Sequence, residues 1–261
     1  MDQRNVSDLA GQLDGSLQAP GDPDYDSART IWNAMIDRRP ALIARCASTE
    51  DVVASVRFGR AHDMLVSVRG GGHNVAGNAV CDDGLMIDLS LMNKVQINVT
   101  ARRVTAQGGC TLGDIDTASH AVGLAVPAGI VSATGVAGLA LGGGVGWLVR
   151  KYGMTCDNII SAEVVTADGR TLRASADENP DLYWGLRGGG GNFGIVTSFE
   201  FQAYRVKTVI GGMIIHPREA ARDVFRFYRD FTKQAPIELT AYCACLSTPD
   251  GTPVTALMAC Y

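Results

Sequence analysis

Apolar residues in this chain fall mostly in short runs of roughly four to eight positions, bounded by glycine, proline and polar clusters, which is the spacing of strands. Residues 41–44 form one such run. Ser48, three positions before Asp51, marks a capped helix that carries Val52, Val53 and Val56 and ends near Gly59. Residues 65–68 read as a second strand. Strand, helix and strand within about thirty residues describe a crossover whose two strands run parallel. Gly70, Gly71 and Gly72 follow at the carboxyl end of the second strand, the edge at which α/β sheets bind ligands.

The same reading gives strands at 85–89, 95–99 and 104–106, and a helix opened by Thr111 and Asp114 that runs to Val122 and closes at Gly123. Residues 159–166 and 171–174 pair as a hairpin about the Asp168-Gly169 turn. Pro180 starts a short helix through Arg187, and residues 193–201 return as a strand. Before all of these, residues 1–26 are polar and broken by Pro20 and Pro23, an irregular arm, after which Ile31, Trp32 and Met35 share one face of a helix. From Val209 the pattern changes to a strand, an amphipathic helix at 220–231, and strands near 239–245 and 254–260. That is the start of a second domain. The chain stops at Tyr261 inside an apolar, strand-like run, so it reads as the front part of a longer protein.

Composition narrows the partners. At 261 residues and 46% hydrophobic content the chain can bury one large or two modest cores. A net charge of −4 with scattered acids and bases gives no basic stripe for nucleic acid or an anionic bilayer, which leaves small molecules. Seven cysteines form an odd set, and the N-terminus lacks a basic segment followed by an apolar one; both fit reduced thiols in the cytoplasm. Cys243 and Cys245 have no second ligand pair nearby, so no metal is expected. Residues 121–149 carry no charge and contain the Gly138-to-Gly142 spacing of membrane helices. Pro127, Ser132, Thr134 and eight glycines in the same run argue instead for a glycine-lined cofactor wall.

Four glycine clusters stand out: 70–72, 108–109, 142–144 with Gly146, and 188–191 with Gly194. The last contains G-x-G-x-x-G, but a helix precedes it and a strand follows, the reverse of a dinucleotide-binding unit. No phosphate-binding G-x-x-x-x-G-K-[ST] segment exists. The first cluster, set between an apolar run and His73-Asn74, describes a loop whose backbone N–H groups can close on an anion and hold one imidazole against the bound ligand.

Taken in order, Arg69-Gly70-Gly71-Gly72-His73-Asn74, then residues 138–146 running into Arg150-Lys151-Tyr152-Gly153 and Asp157-Asn158, then 181–197, the chain resembles the FAD-linked oxidases of the berberine-bridge-enzyme type, a branch of the vanillyl-alcohol-oxidase superfamily, and is most similar to its bacterial members. The resemblance runs from about Arg38 to Tyr204. It implies an α+β fold with a PCMH-type FAD-binding domain of two mixed α/β subdomains (residues 38–207, after an N-terminal arm and helix at 1–37), followed by the beginning of an antiparallel-sheet substrate domain (208–261). It implies FAD linked covalently through His73, with backbone groups of Arg69, Gly70, Gly71, Gly72, His73 and Asn74 on the pyrophosphate. Thr134, Gly135, Gly138, Gly142, Gly143 and Gly144 would form a wall along the flavin, and Ile195 and Val196 would lie near the adenine.

One departure concerns a second flavin link that many members make through a cysteine; its position here is Val131, which cannot form a thioether. Cys156 lies on the wrong side of the glycine wall and reads as a buried thiol, and His62, His120 and His216 lack the setting of His73. The implied activity is oxidation of an alcohol, amine or related carbon centre of a small molecule, with oxygen as acceptor. The base of that reaction belongs to later parts of the family's chain, so no catalytic residue is assigned; Tyr242 is at most a wall residue. Oligomeric state is not legible. The competing reading is a flavin- or aromatic-compound-binding protein, or an inactive fragment, without turnover.

Overall fold

The structure, a computed structural model, describes residues 3–261. Helix α1 (Gln3–Ala10), strand β1 (Ser16–Gln18), helix α2 (Tyr25–Ala28), strand β2 (Leu42–Arg45), helix α3 (Thr49–Ala61) and strands β3 (Val66–Arg69) and β4 (Leu85–Asp88) build the first unit. Its sheet has the order β1-β2-β4-β3. The two strands of the crossover do run in one direction, yet β4 lies between them, parallel to both. All four residues of β4 are buried, as a strand covered on both faces requires.

Ser48 caps α3 as its position suggested: its hydroxyl accepts from Asp51 N at 3.2 Å. Asp51 is itself fully buried and accepts from the N–H groups of Asp14, Gly15 and Ala47 at 2.8, 3.0 and 2.8 Å. That carboxylate ties the N-terminal segment to the sheet. The segment is therefore no irregular arm: α1 buries Leu9, and β1 pairs antiparallel with β2. The helical face expected of Ile31, Trp32 and Met35 is absent. Those residues lie in irregular chain after α2, with Ile31 buried, Trp32 63% exposed and Met35 92% exposed.

The second unit comprises β5 (Val95–Asn98), β6 (Arg103–Gln107), α4 (Leu112–His120), β7 (Leu124–Ala125), α5 (Val136–Leu141), α6 (Val149–Tyr152), β8 (Ile159–Val165), β9 (Thr171–Ser175), α7 (Pro180–Leu186), β10 (Ile195–Gln202) and β11 (Tyr204–Arg205). Strands β5-β6-β10-β8-β9 form an antiparallel sheet. Central β10 places Phe199 and Phe201, both fully buried and stacked at 5.4 Å, in a core shared with Val104, Ile115 and Val164. Thr111 and Asp114 form a reciprocal cap on α4, and Gly169 takes a φ of +76° in the β8–β9 turn. The uncharged run is divided among a two-residue strand, loops and the six-residue α5. Among the described residues no helix is long and apolar enough to cross a membrane.

Glu163 joins the two units: one carboxylate oxygen accepts from Thr49 Oγ1 of α3 at 2.8 Å and from Thr197 Oγ1 of β10 at 2.7 Å. A third sheet follows from β12 (Gly211–Pro217), β13 (Thr240–Ser247) and β14 (Pro253–Cys260), ordered β12-β14-β13, with α8 (Ala221–Phe231) against it. Arg150 donates to the carbonyls of Leu239 and Ala235 at 2.9 and 3.2 Å, which fastens that sheet to the second unit.

Candidate cofactor site

Loop 70–74 leaves the end of β3 with its backbone N–H groups unoccupied: among the described residues, none of the five donates to a protein acceptor. The loop's shape follows from close backbone packing. A Cβ on Gly71 would sit 2.3 Å from Gly135 N, and one on Gly135 would sit 2.2 Å from Gly71 N. Gly72 has a φ of +70°, which L side chains rarely adopt. Gly108 and Gly109 approach the carbonyls of Val196 and Leu89 just as closely, so three glycine segments meet backbone to backbone. With no side chains between them, Gly70, Gly71 and Gly72 bring bare backbone to the cleft, and unpaired amides of such a glycine segment can receive a phosphate group.

The loop opens onto a cleft of about 270 Å³ lined by Thr30, Ile31, Trp32, Arg69, Gly70, Gly71, Gly72, Ser90, Asn93, Gly109, Thr111 and Asp114. That volume suits the middle of an extended dinucleotide rather than its whole length. Arg69 is the one cation in the lining, and its head group is fully engaged. Nε and Nη2 donate to Asp88 at 3.0 and 2.6 Å, and Nη1 donates to the Thr30 carbonyl at 3.0 Å. Positive potential in the cleft therefore comes from backbone amides. Asp114 Oδ2 accepts from Thr111 N and Oγ1, each at 2.7 Å, which commits that oxygen to the α4 cap. A larger cleft of about 860 Å³ between α1, α3 and the β8–β9 turn shares no residue with this one, and the glycine in its lining, Gly169, packs on the Arg57 side chain and not on backbone. The chemistry selects the smaller cleft.

His73 follows the loop, half-buried, its ring stacked on that of Trp32 with centroids 5.3 Å apart and planes at 20°. Asn74 is exposed, and its Oδ1 accepts from Asn78 N at 3.0 Å. Of the expected wall residues, Thr134 and Gly135 meet the loop directly. Gly138, on α5, faces open space. Gly142, Gly143 and Gly144 lie further along: a Cβ on Gly143 would meet Met154, and one on Gly144 would meet Thr155. Ile195 and Val196 are buried in the start of β10 and do not line the cleft; the Val196 carbonyl packs against Gly108. Tyr242 donates to the Gly146 carbonyl at 3.4 Å and meets Trp147 edge-on at 5.1 Å, a seam between the third sheet and the glycine wall.

The sequence pattern alone gives no site role to Thr30, Trp32, Ser90, Asn93 or Thr111, which the fold brings to the cleft. Their signal is weak, since polar loop residues are common everywhere. Gly108-Gly109 was visible as a cluster, but only the fold shows that it packs beneath the loop. No cysteine lines the cleft: Cys110 is fully buried, its thiol pushed up to about 11 by burial, and Cys156 donates its N–H to the Gly143 carbonyl at 2.8 Å, away from the loop.

Residues 40–175 match the model of a family described as an FAD binding domain. The chain belongs to that FAD binding domain family. Among its relatives is (R)-6-hydroxynicotine oxidase of Paenarthrobacter nicotinovorans, 42% identical over 203 residues that cover 77% of this chain and 44% of that protein. The crystal structure of 6-hydroxy-D-nicotine oxidase from Arthrobacter nicotinovorans superposes with a TM-score of 0.91 at 34% identity, covering 95% of this chain and 56% of that one. Physcomitrella patens BBE-like 1 gives a TM-score of 0.91 at 26% identity, covering 98% and 56%. The chain thus spans about half the length of the relatives it matches. It has the α+β architecture of the PCMH-type FAD-binding oxidases, and the berberine-bridge-type resemblance is confirmed.

Proposed function

We propose that this chain is the FAD-holding part of an oxidoreductase that oxidises a CH–OH or CH–NH group of a small molecule, with dioxygen as electron acceptor. The observation that carries this is the row of five free amides at 70–74 ending in one half-buried imidazole. The amides of this row would hold the pyrophosphate, and the backbone at Thr134 and Gly135 would keep the row in shape. A ring nitrogen of His73 would carry the covalent bond to FAD. With Val131 at the other linking position and no thiol in the cleft, that bond is the single attachment. Bound FAD supplies a two-electron acceptor; the chain supplies orientation and electrostatics.

The substrate class follows the relative named for hydroxynicotine, in which the named compound contains an amine nitrogen. The seven free thiols fit a reducing compartment. Anaerobic mixing of the FAD-loaded protein with a panel of secondary amines and alcohols tests the activity. Bleaching of the flavin band by one class, reversed by air with release of hydrogen peroxide, is the expected result. A band that no substrate bleaches would leave a binding protein without turnover.

A further inference from the structure

The segment before β2 is fastened to loop 69–75 at three points. Trp32 N donates to the Gly72 carbonyl at 3.1 Å, Arg69 Nη1 to the Thr30 carbonyl at 3.0 Å, and Asn33 Nδ2 to the Val75 carbonyl at 2.8 Å. These bonds bring the Trp32 indole nearly parallel to the His73 imidazole, on the rim of the cleft. No core holds that indole, which is 63% exposed. A stacked ring pair is favourable beyond the area it buries, and among the described residues His73 is the ring stacked on this indole. No side-chain hydrogen bond to His73 is present among the described residues, so the stack is what orients its ring.

We infer that Trp32 is a positioning residue, which sets the His73 ring for attachment to FAD; this rests on the flavin reading above. The attachment forms one N–C bond between a His73 ring nitrogen and the flavin 8α carbon. The ring N–H proton and one methyl proton leave, and the two electrons released pass to dioxygen, giving hydrogen peroxide. Rotation of an unstacked imidazole would lower the fraction of rings aligned for that bond without changing the amides that hold the pyrophosphate.

The experiment uses flavin-free protein, expressed under riboflavin limitation, as wild type, W32F and W32L. After FAD is added, two quantities are followed: reversible affinity at early times, and flavin retained on acid precipitation over time. At saturating FAD, where any change in reversible affinity no longer matters, W32L is expected to attach bound FAD about tenfold more slowly, and W32F to stay near wild type. Equal attachment rates in W32L and wild type overturn the proposal and leave the flavin reading intact. Wild type that takes up FAD but never retains it overturns the covalent reading and this proposal together. Should W32L not fold, the His73 ring-proton resonances of flavin-free W32F replace it. A changed ring-current displacement supports the stack, and an unchanged spectrum overturns it.

Discussion

Arg69 and Asp88 pair side by side across neighbouring parallel strands, in register at the point where the glycine loop begins, and Asp88 is completely buried. Asp88 also accepts from Ser90 N and Oγ at 3.0 and 2.9 Å, and Arg45 Nε lies 3.4 Å away. A buried carboxylate needs that many partners to offset its desolvation. The pair fixes the start of loop 70–74 and draws the Arg69 head group away from the cleft. Asp88→Ala would leave Arg69 in a largely buried setting without its counter-charge, which is expected to destabilise the protein by about 3–5 kcal/mol in urea unfolding. A loss under about 1 kcal/mol would mean the pair is open to water.

Two glycines in the same region should behave oppositely on substitution by alanine. A Cβ on Gly71 meets Gly135 backbone at 2.3 Å, and backbone cannot swing aside; Gly71→Ala is expected to cost about 1–3 kcal/mol and to abolish FAD uptake. Gly138 lies within α5 with nothing near its missing Cβ. Gly138→Ala should stabilise the flavin-free protein by up to about 1 kcal/mol. If the flavin packs over α5, the same change weakens FAD binding. Thermal melts and FAD titrations of both variants separate backbone fit from ligand fit.

Buried thiols predict an alkaline weakness. Burial pushes the Cys46 thiol from 9.0 up to about 12 and the Cys110 thiol up to about 11. Above pH 9 an unfolded chain releases those protons while the folded chain keeps them, so unfolding becomes more favourable as pH rises. The stability contributed is complete below pH 9 and declines between 9 and 11 for Cys110, and between 9 and 12 for Cys46. Urea midpoints at pH 8 and 10.5 should fall for wild type, and fall less for Cys46→Ala. Equal slopes in the two proteins would show that Cys46 does not titrate on unfolding.

Local chemistry was legible wherever it acts over a few residues. The Ser48 and Thr111 caps, the Asp168-Gly169 turn and the Pro180 helix start all depend on neighbours within one turn, and each stands where the sequence put it. The insertion of β4 between β2 and β3 was not legible, because strand order is decided by which strand can be buried on both faces. The order of the N-terminal segment is hidden for a similar reason. Its polar composition hides Leu9 and the backbone bonds to Asp51, a partner more than thirty positions away. At the site, the loop itself announced its glycines. The tryptophan beside His73 and the glycines beneath the loop become visible only when the chain folds back on itself.

The central claim is that loop 70–74 holds FAD and that His73 bonds to it. The most direct measurement is the absorption spectrum of purified wild type and His73→Ala, each taken before and after acid precipitation. Flavin bands that stay with the wild-type pellet and pass into the supernatant of the variant are the expected result. A colourless wild type that takes up no added FAD, or a variant that retains flavin as firmly as wild type, would contradict the account.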